Sequence, residues 1–193
     1  MLTASVLVGV GIVLLAGLIS YNSLIRSRNQ VAEAWSGVDV QLRRRATLVP
    51  NLVEVVRAYA DHERGTFDEV TRARSALHGG GGVADTASAS DQLSRALGRL
   101  LAVAERYPQL RAAENFRALQ GDLSDVEDKI AYARQFYNRT VLDFNNRLAV
   151  FPTVVVARAF GFTPAEFFEA DEEASREVRV HMPPGTAHGS PPA

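Results

Sequence analysis

One seam of apolar residues, between positions 125 and 152, limits what this chain can fold into more than any other feature. In DVEDKIAYARQFYNRTVLDFNNRLAVFP, residues Val126, Ile130, Ala133, Tyr137, Val141, Phe144, Leu148 and Phe151 recur at steps of three and four, the period of a helix that buries one face. At 1.5 Å per residue this is a rod of roughly 40 Å. Only the segments before it are long enough to cover such a seam. The expected fold is therefore all-α: an elongated antiparallel bundle of long helices, closed by short helices at the C-terminal end.

The first stretch is of another kind. Residues 1–25 carry no charge, and 6–19 are almost wholly Val, Leu, Ile, Gly and Ala. As a helix they span about 37 Å, enough to cross a hydrocarbon layer of ~30 Å with some tilt. A cleavable leader would need a basic start and a small-x-small site after a shorter apolar core, and neither is present. Residues 1–25 are accordingly expected to be a transmembrane anchor, 26–180 a helical bundle, and 181–193, which are rich in Pro and Gly, a disordered tail. Positive charge flanks the anchor only on its C-terminal side, at Arg26 and Arg28 and then Arg43, Arg44 and Arg45. The positive-inside rule then gives a single-pass protein of the cell membrane, N-terminus outside and bulk in the cytoplasm. No second lipid-binding amphipathic surface is evident outside the anchor.

From Val31 the apolar steps of three and four continue through Trp35, Val38, Leu42, Arg45, Val49, Leu52, Val56 and Tyr59 to Phe67, Val70 and Leu77. Pro50 falls inside this run. Because the phase does not shift across it, one helix to about Leu77, kinked at Pro50, is preferred to a turn there. Asn51 is a candidate to satisfy a carbonyl that the proline leaves free. Residues 78–91 read as a flexible hairpin connection and 93–104 as a shorter helix ending near Pro108. A single helix is expected from about Gln109 to Val150. Thr153 to Arg158 reads as a short helix capped by Gly161, and Thr163-Pro164-Ala165-Glu166 as a capping box opening another. Phe160, Phe162, Phe167 and Phe168 would fold over one end of the bundle.

Catalytic chemistry finds little foothold. The chain has no Cys, which removes thiolate catalysis and Cys-based zinc sites. His62-Glu63-Arg64-Gly65-Thr66 lacks the second histidine of a zinc protease motif. No Glu has His three residues on, as di-iron bundles require, and no strand-turn-helix elbow is available for a serine nucleophile. No catalytic residue, metal ligand, cofactor or small-molecule substrate is assigned. Lys and Arg number 21 against 22 Asp and Glu, a net charge of −1, so no global field favours nucleic acid. The residues singled out are structural or interactive. Trp35, Pro50, Asn51, Asn138 and Asn145 are candidates for setting bundle register, the two later asparagines through inter-helix hydrogen bonds. Arg43 and Arg44 are candidates for docking an acidic partner surface on a face turned away from the seam.

The run YNSLIRSRNQVAEAWSGVDVQLRRRATLVPNLVEVVRAYADHE, residues 21–63, closely resembles the LemA family, and ERYPQLRAAENFRALQ, IAYARQFYNRTVLDFNNRLAVFP and GFTPAEFFE resemble the same family in the same order. The resemblance covers about 21–180. Thr47 stands where such sequences often carry Asp, and Ala58 where Gly is common. What the resemblance implies is an N-terminal membrane helix, a short extracytoplasmic N-terminus and a cytoplasmic helical bundle. It implies no reaction. The expected role is that of a membrane-anchored interaction or scaffold module with an unknown protein partner, with a membrane-remodelling or envelope-organising protein as the alternative and an enzyme the least expected.

Overall fold

A computed structural model describes residues 2–77, 79 and 81–168. Six α-helices follow in order: α1 Leu2–Arg57, α2 Arg64–Ala76, α3 Val83–Glu105, α4 Pro108–Ala112, α5 Glu114–Ala149 and α6 Thr153–Ala159. No strand occurs among the described residues. The all-helical expectation and the long apolar N-terminal helix both hold, while the tail expected over 181–193 lies outside the described residues.

The longest interface is between α1 and α5. Contacts pair the two in opposite chain order: Ser23 with Arg147, Trp35 with Tyr137, and Arg45 with Glu127. Of the seam residues, Val126, Ile130, Tyr137, Val141 and Phe144 are buried. Phe151 is not. It lies past the end of α5, where Val150 turns extended, and it is 82% exposed.

α1 runs unbroken through Pro50, as its phase predicts. It ends at Arg57, however, not near Leu77. Residues 58–63 turn the chain, and α2 returns beside α1 so that the Arg74 Nε donates to the Ala46 carbonyl at 2.9 Å. The turn keeps helix-like bonds, Ala58 to Glu54 and Ala60 to Val56, mixed with tighter ones such as Tyr59 to Val56. A turn wound this way preserves the apolar count, so periodicity alone does not reveal it. Folding back brings Phe67, Val70 and Ala73 onto Leu93, Leu97 and Leu100 of α3, burial that a straight helix would forfeit.

Two further expectations are corrected. Residues 83–91 are helical rather than a hairpin loop: the Gly82 N–H donates to the Asp85 carboxylate at the start of α3, and Ala87 and Ser90 are buried. The single helix expected from Gln109 is broken at Ala113, whose backbone is extended. The break lets Leu110 turn fully into the core while the Asn115 side chain accepts from the Phe116 N–H at 2.9 Å.

The core falls into two clusters. One, far from the N-terminus, joins α1 beyond Val49 to α2, α3, α4 and the start of α5. The other joins Val31, Val38 and Leu42 to Val126, Ile130, Tyr137, Val141 and Phe144. Arg45 sits between them, 0% exposed. Replacing Phe144 by Ala is expected to cost about 3–5 kcal/mol by removing a buried ring and leaving a cavity. Chemical denaturation in detergent measures this, and a loss under about 1 kcal/mol would show that the seam does not carry the fold.

Candidate docking groove

Both long faces of the α1–α5 pair are informative, and they differ. One is covered by the chain itself. After α6, the Phe162 N–H bonds back to the Ala157 carbonyl around Gly161, whose φ of +69° suits glycine. The chain then runs extended through residues 162–168, where a helix had been expected from the capping box. Its backbone is claimed instead by α5. Asn145 accepts from the Ala165 N–H at 2.9 Å and donates to the Ala165 carbonyl at 3.0 Å. Asn138 does the same for Phe168, at 2.8 and 3.2 Å. Tyr137 Oη donates to the Glu166 carbonyl at 2.8 Å. Seven residues of helix advance about 10.5 Å, and three residues of extended chain about 10 Å, so the two asparagines match this strap residue for residue.

The other face is open. A groove of about 900 Å3 runs between α1 and α5, floored by Ala34, Gly37 and Ala133 and walled by Tyr132, Phe136 and Thr140 on one side and Gln30 and Glu33 on the other. Tyr132 and Phe136 are 72% and 53% exposed. The acidic side chains here, Glu33, Asp125, Asp128 and Asp143, outnumber the basic Lys129 and Arg147. A hydrogen bond from Lys129, with the charges of Lys129 and Arg44, holds the Asp125 carboxyl below its ordinary range against a smaller opposing desolvation. The buried Oε1 of Gln41, which also lines this groove, has no hydrogen-bond partner among the described residues.

The residues singled out in the sequence are distributed over both faces and beyond. Trp35 packs on Tyr137 and Phe168, ring centroids 5.4 and 6.0 Å apart, and so joins the strap side. Asn138 and Asn145 bond the strap, not a neighbouring helix. Asn51 is exposed and Pro50 faces outward. The carbonyl four residues before Pro50, which the proline cannot bond, belongs to Ala46 and is taken by Arg74 rather than Asn51. Arg43 and Arg44 do not form a common free basic patch: Arg43 bonds Asp39 at 2.8 Å, and Arg44 faces Asp125 of α5 at 3.7 Å. Arg44 therefore reaches across the α1–α5 seam instead of turning from it. Sequence reasoning missed Tyr132 and Phe136, although Tyr132, Phe136, Thr140, Asp143 and Arg147 form a second stripe at steps of three and four.

The LemA family model matches residues 34–182. The chain belongs to the LemA family. The match takes in most of α1 beyond the apolar stretch, all of α2 to α6, and the strap. Among curated relatives, magnetosome protein MamQ 1 of Paramagnetospirillum magneticum is 26% identical over 178 residues, covering 79% of this chain. MamQ of Magnetospirillum gryphiswaldense is 26% identical over 177 residues, covering 78% of this chain. The chain spans 65% of the length of each of these MamQ proteins. Protein LemA of Metamycoplasma hominis is 26% identical over 156 residues, covering 78% of this chain and 69% of that protein.

Tyr137 carries a pH dependence. Burial, and then the nearby Glu166 charge, push its phenol above the ordinary value of 10.0. An acid whose folded pKa is raised contributes stability that is complete below its unfolded pKa and is lost as pH rises through the folded one. The strap should accordingly loosen only above pH 10.0. Trp35, the sole tryptophan, touches both Tyr137 and Phe168 and reports it: its emission should change in a step there, and Tyr137→Phe should abolish the step. An unchanged step in Tyr137→Phe would assign it to another group.

Proposed function

We propose that this LemA-family protein is a membrane-anchored interaction module whose open α1–α5 groove docks a helix of a protein partner. The carrying observation is the groove itself, with two exposed aromatic rings four residues apart on a rigid helix. Helix-in-groove recognition uses anchors at this spacing. The acidic excess around it selects a partner with basic side chains beside its apolar ones. This reading prefers a basic partner to the acidic one expected from Arg43 and Arg44, since each arginine has a carboxylate neighbour, Asp39 or Asp125, and the groove carries an acidic excess.

Membrane attachment is supported by α1, a helix long and apolar enough to cross a bilayer, on which Leu7, Val10, Ile12, Leu14, Leu15, Leu18 and Ile19 are all exposed. The arginines after it favour, by the positive-inside rule, a bundle on the cytoplasmic side. An envelope-organising role remains the second reading, but this groove would not serve it by binding anionic lipid, since its charge has the wrong sign.

A photo-crosslinking amino acid at Tyr132 or Phe136, in cells, should give discrete protein adducts that are absent when it replaces the exposed Ala102 of α3. Asp128→Lys with Asp143→Lys should lower their yield. Adducts unaffected by charge reversal, or none at all, would refute groove docking. For topology, Gly82 is exposed and a Cβ there meets nothing closer than 4.0 Å. In an otherwise cysteine-free chain, Gly82→Cys should resist impermeant thiol reagents in intact cells and react after lysis, and labelling of intact cells would reverse the orientation.

A further inference from the structure

The end of the bundle nearest the anchor carries an apolar surface that the fold does not use. Phe151, Phe160 and Val155 are 82%, 66% and 59% exposed, and Val150 is exposed beside them. All four belong to the stretch from the end of α5 through α6, which packs against α1. Their level along α1 is fixed by two contacts: Phe160 stacks on Tyr21 with ring centroids 4.9 Å apart, and Arg147 bonds Ser23 at 2.9 Å. α5 runs opposite to α1, so beyond Arg147 its end points toward the apolar N-terminal stretch. Ile19 and Leu18 are themselves exposed apolar residues of α1. The patch thus sits at the end of the bundle that faces the apolar stretch, with Phe160 stacked on Tyr21, two residues along α1 from Ile19. Cations exposed at this end include Arg26 and Arg28 on α1, Arg147 on α5 and Arg158 on α6. Exposed apolar rings with long cationic side chains at one level are what the boundary between head groups and acyl chains accommodates.

We infer that Val150, Phe151, Val155 and Phe160 form a lipid-binding collar that seats this end of the bundle in the bilayer interface around the emerging anchor, with Arg26 and Arg158 at the level of anionic head groups. The collar rests on α1 crossing the membrane. It supplies a second lipid-contacting surface that sequence reasoning missed, because residues 150–160 cross a helix end, a turn and a short helix and show no single helical period.

The absence of cysteine makes the test direct. Single cysteines at Leu15, Phe151, Val155 and Ala102 of the full chain, spin-labelled and reconstituted in vesicles containing anionic lipid, are compared by power saturation with oxygen and with a water-soluble nickel chelate. Leu15 should read as lipid and Ala102 as water. Phe151 and Val155 should favour oxygen over nickel by roughly tenfold relative to Ala102, as interfacial burial requires. If Leu15 reads as lipid while Phe151 and Val155 match Ala102, the collar is refuted and the anchor stands. If Leu15 also reads as water, the membrane reading falls and takes the collar with it. Should labels at Phe151 or Val155 disturb folding, Phe160→Trp in a Trp35→Phe chain replaces them. Quenching by brominated lipid then supports the collar, and unquenched emission overturns it.

Discussion

Arg45 is the interaction on which the rest of the bundle depends. Its guanidinium is wholly buried between the two core clusters and donates to the Ser90 hydroxyl at 2.8 Å, the Ser90 carbonyl at 3.1 Å, the Ser94 hydroxyl at 2.9 Å and the Glu127 carboxylate at 3.0 and 3.2 Å. One side chain of α1 thereby fixes the register of α3 and α5 together. Stripping a cation of water costs several kcal/mol, and only dense partnering offsets it. A slide of either neighbour by one residue would break these bonds while leaving apolar packing roughly interchangeable, so the arginine discriminates between registers where leucines would not. Its Nε alone lacks a partner among the described residues. Glu127 is only half covered and keeps contact with water, which lowers the desolvation that the pair must overcome.

Either side of this point the molecule has different thickness. Toward the far end, α2, α3 and α4 surround the α1–α5 pair. Toward the N-terminal end the pair is covered on one face by α6, the start of α3 and the strap, whose Phe168 is sealed between Trp35 and the Arg134 guanidinium 4.9 Å from its ring centre. Two asparagines and a tyrosine supply the partners that a β-neighbour would otherwise give an extended backbone. The thin half is where a groove can stay open.

Much of this was legible in the chain, and what was not has physical causes. The buried faces of α1 and α5 follow from apolar period, and Arg45 on that seam announced a required partner. Pro50 could be read as internal because its phase is unbroken. The turn at 58–63 was hidden because it is wound almost like helix, and the break at Ala113 because Ala is the strongest helix former and marks a continuing helix. The strap was misread for a different reason: Thr163-Pro164-Ala165-Glu166 satisfies local helix-start rules, but tertiary bonds from Asn138 and Asn145 outweigh them. Local propensity is worth tenths of a kcal/mol per residue, whereas each buried polar pairing is worth about one. Tyr132 and Phe136 stood in plain sight, overlooked because attention to a buried stripe discards the residues opposite.

The continuity of α1 has a mechanical side. Its 56 residues form one rod with no flexible joint between the apolar stretch and the core, about 84 Å from end to end. That rod is also one wall of the open groove, and α5 is the other. A tilt or roll of the rod's apolar N-terminal part is therefore not absorbed before the groove is reached. It would arrive at Gly37 and Gln41 as a displacement against Tyr132 and Phe136, with the intact helix as the lever.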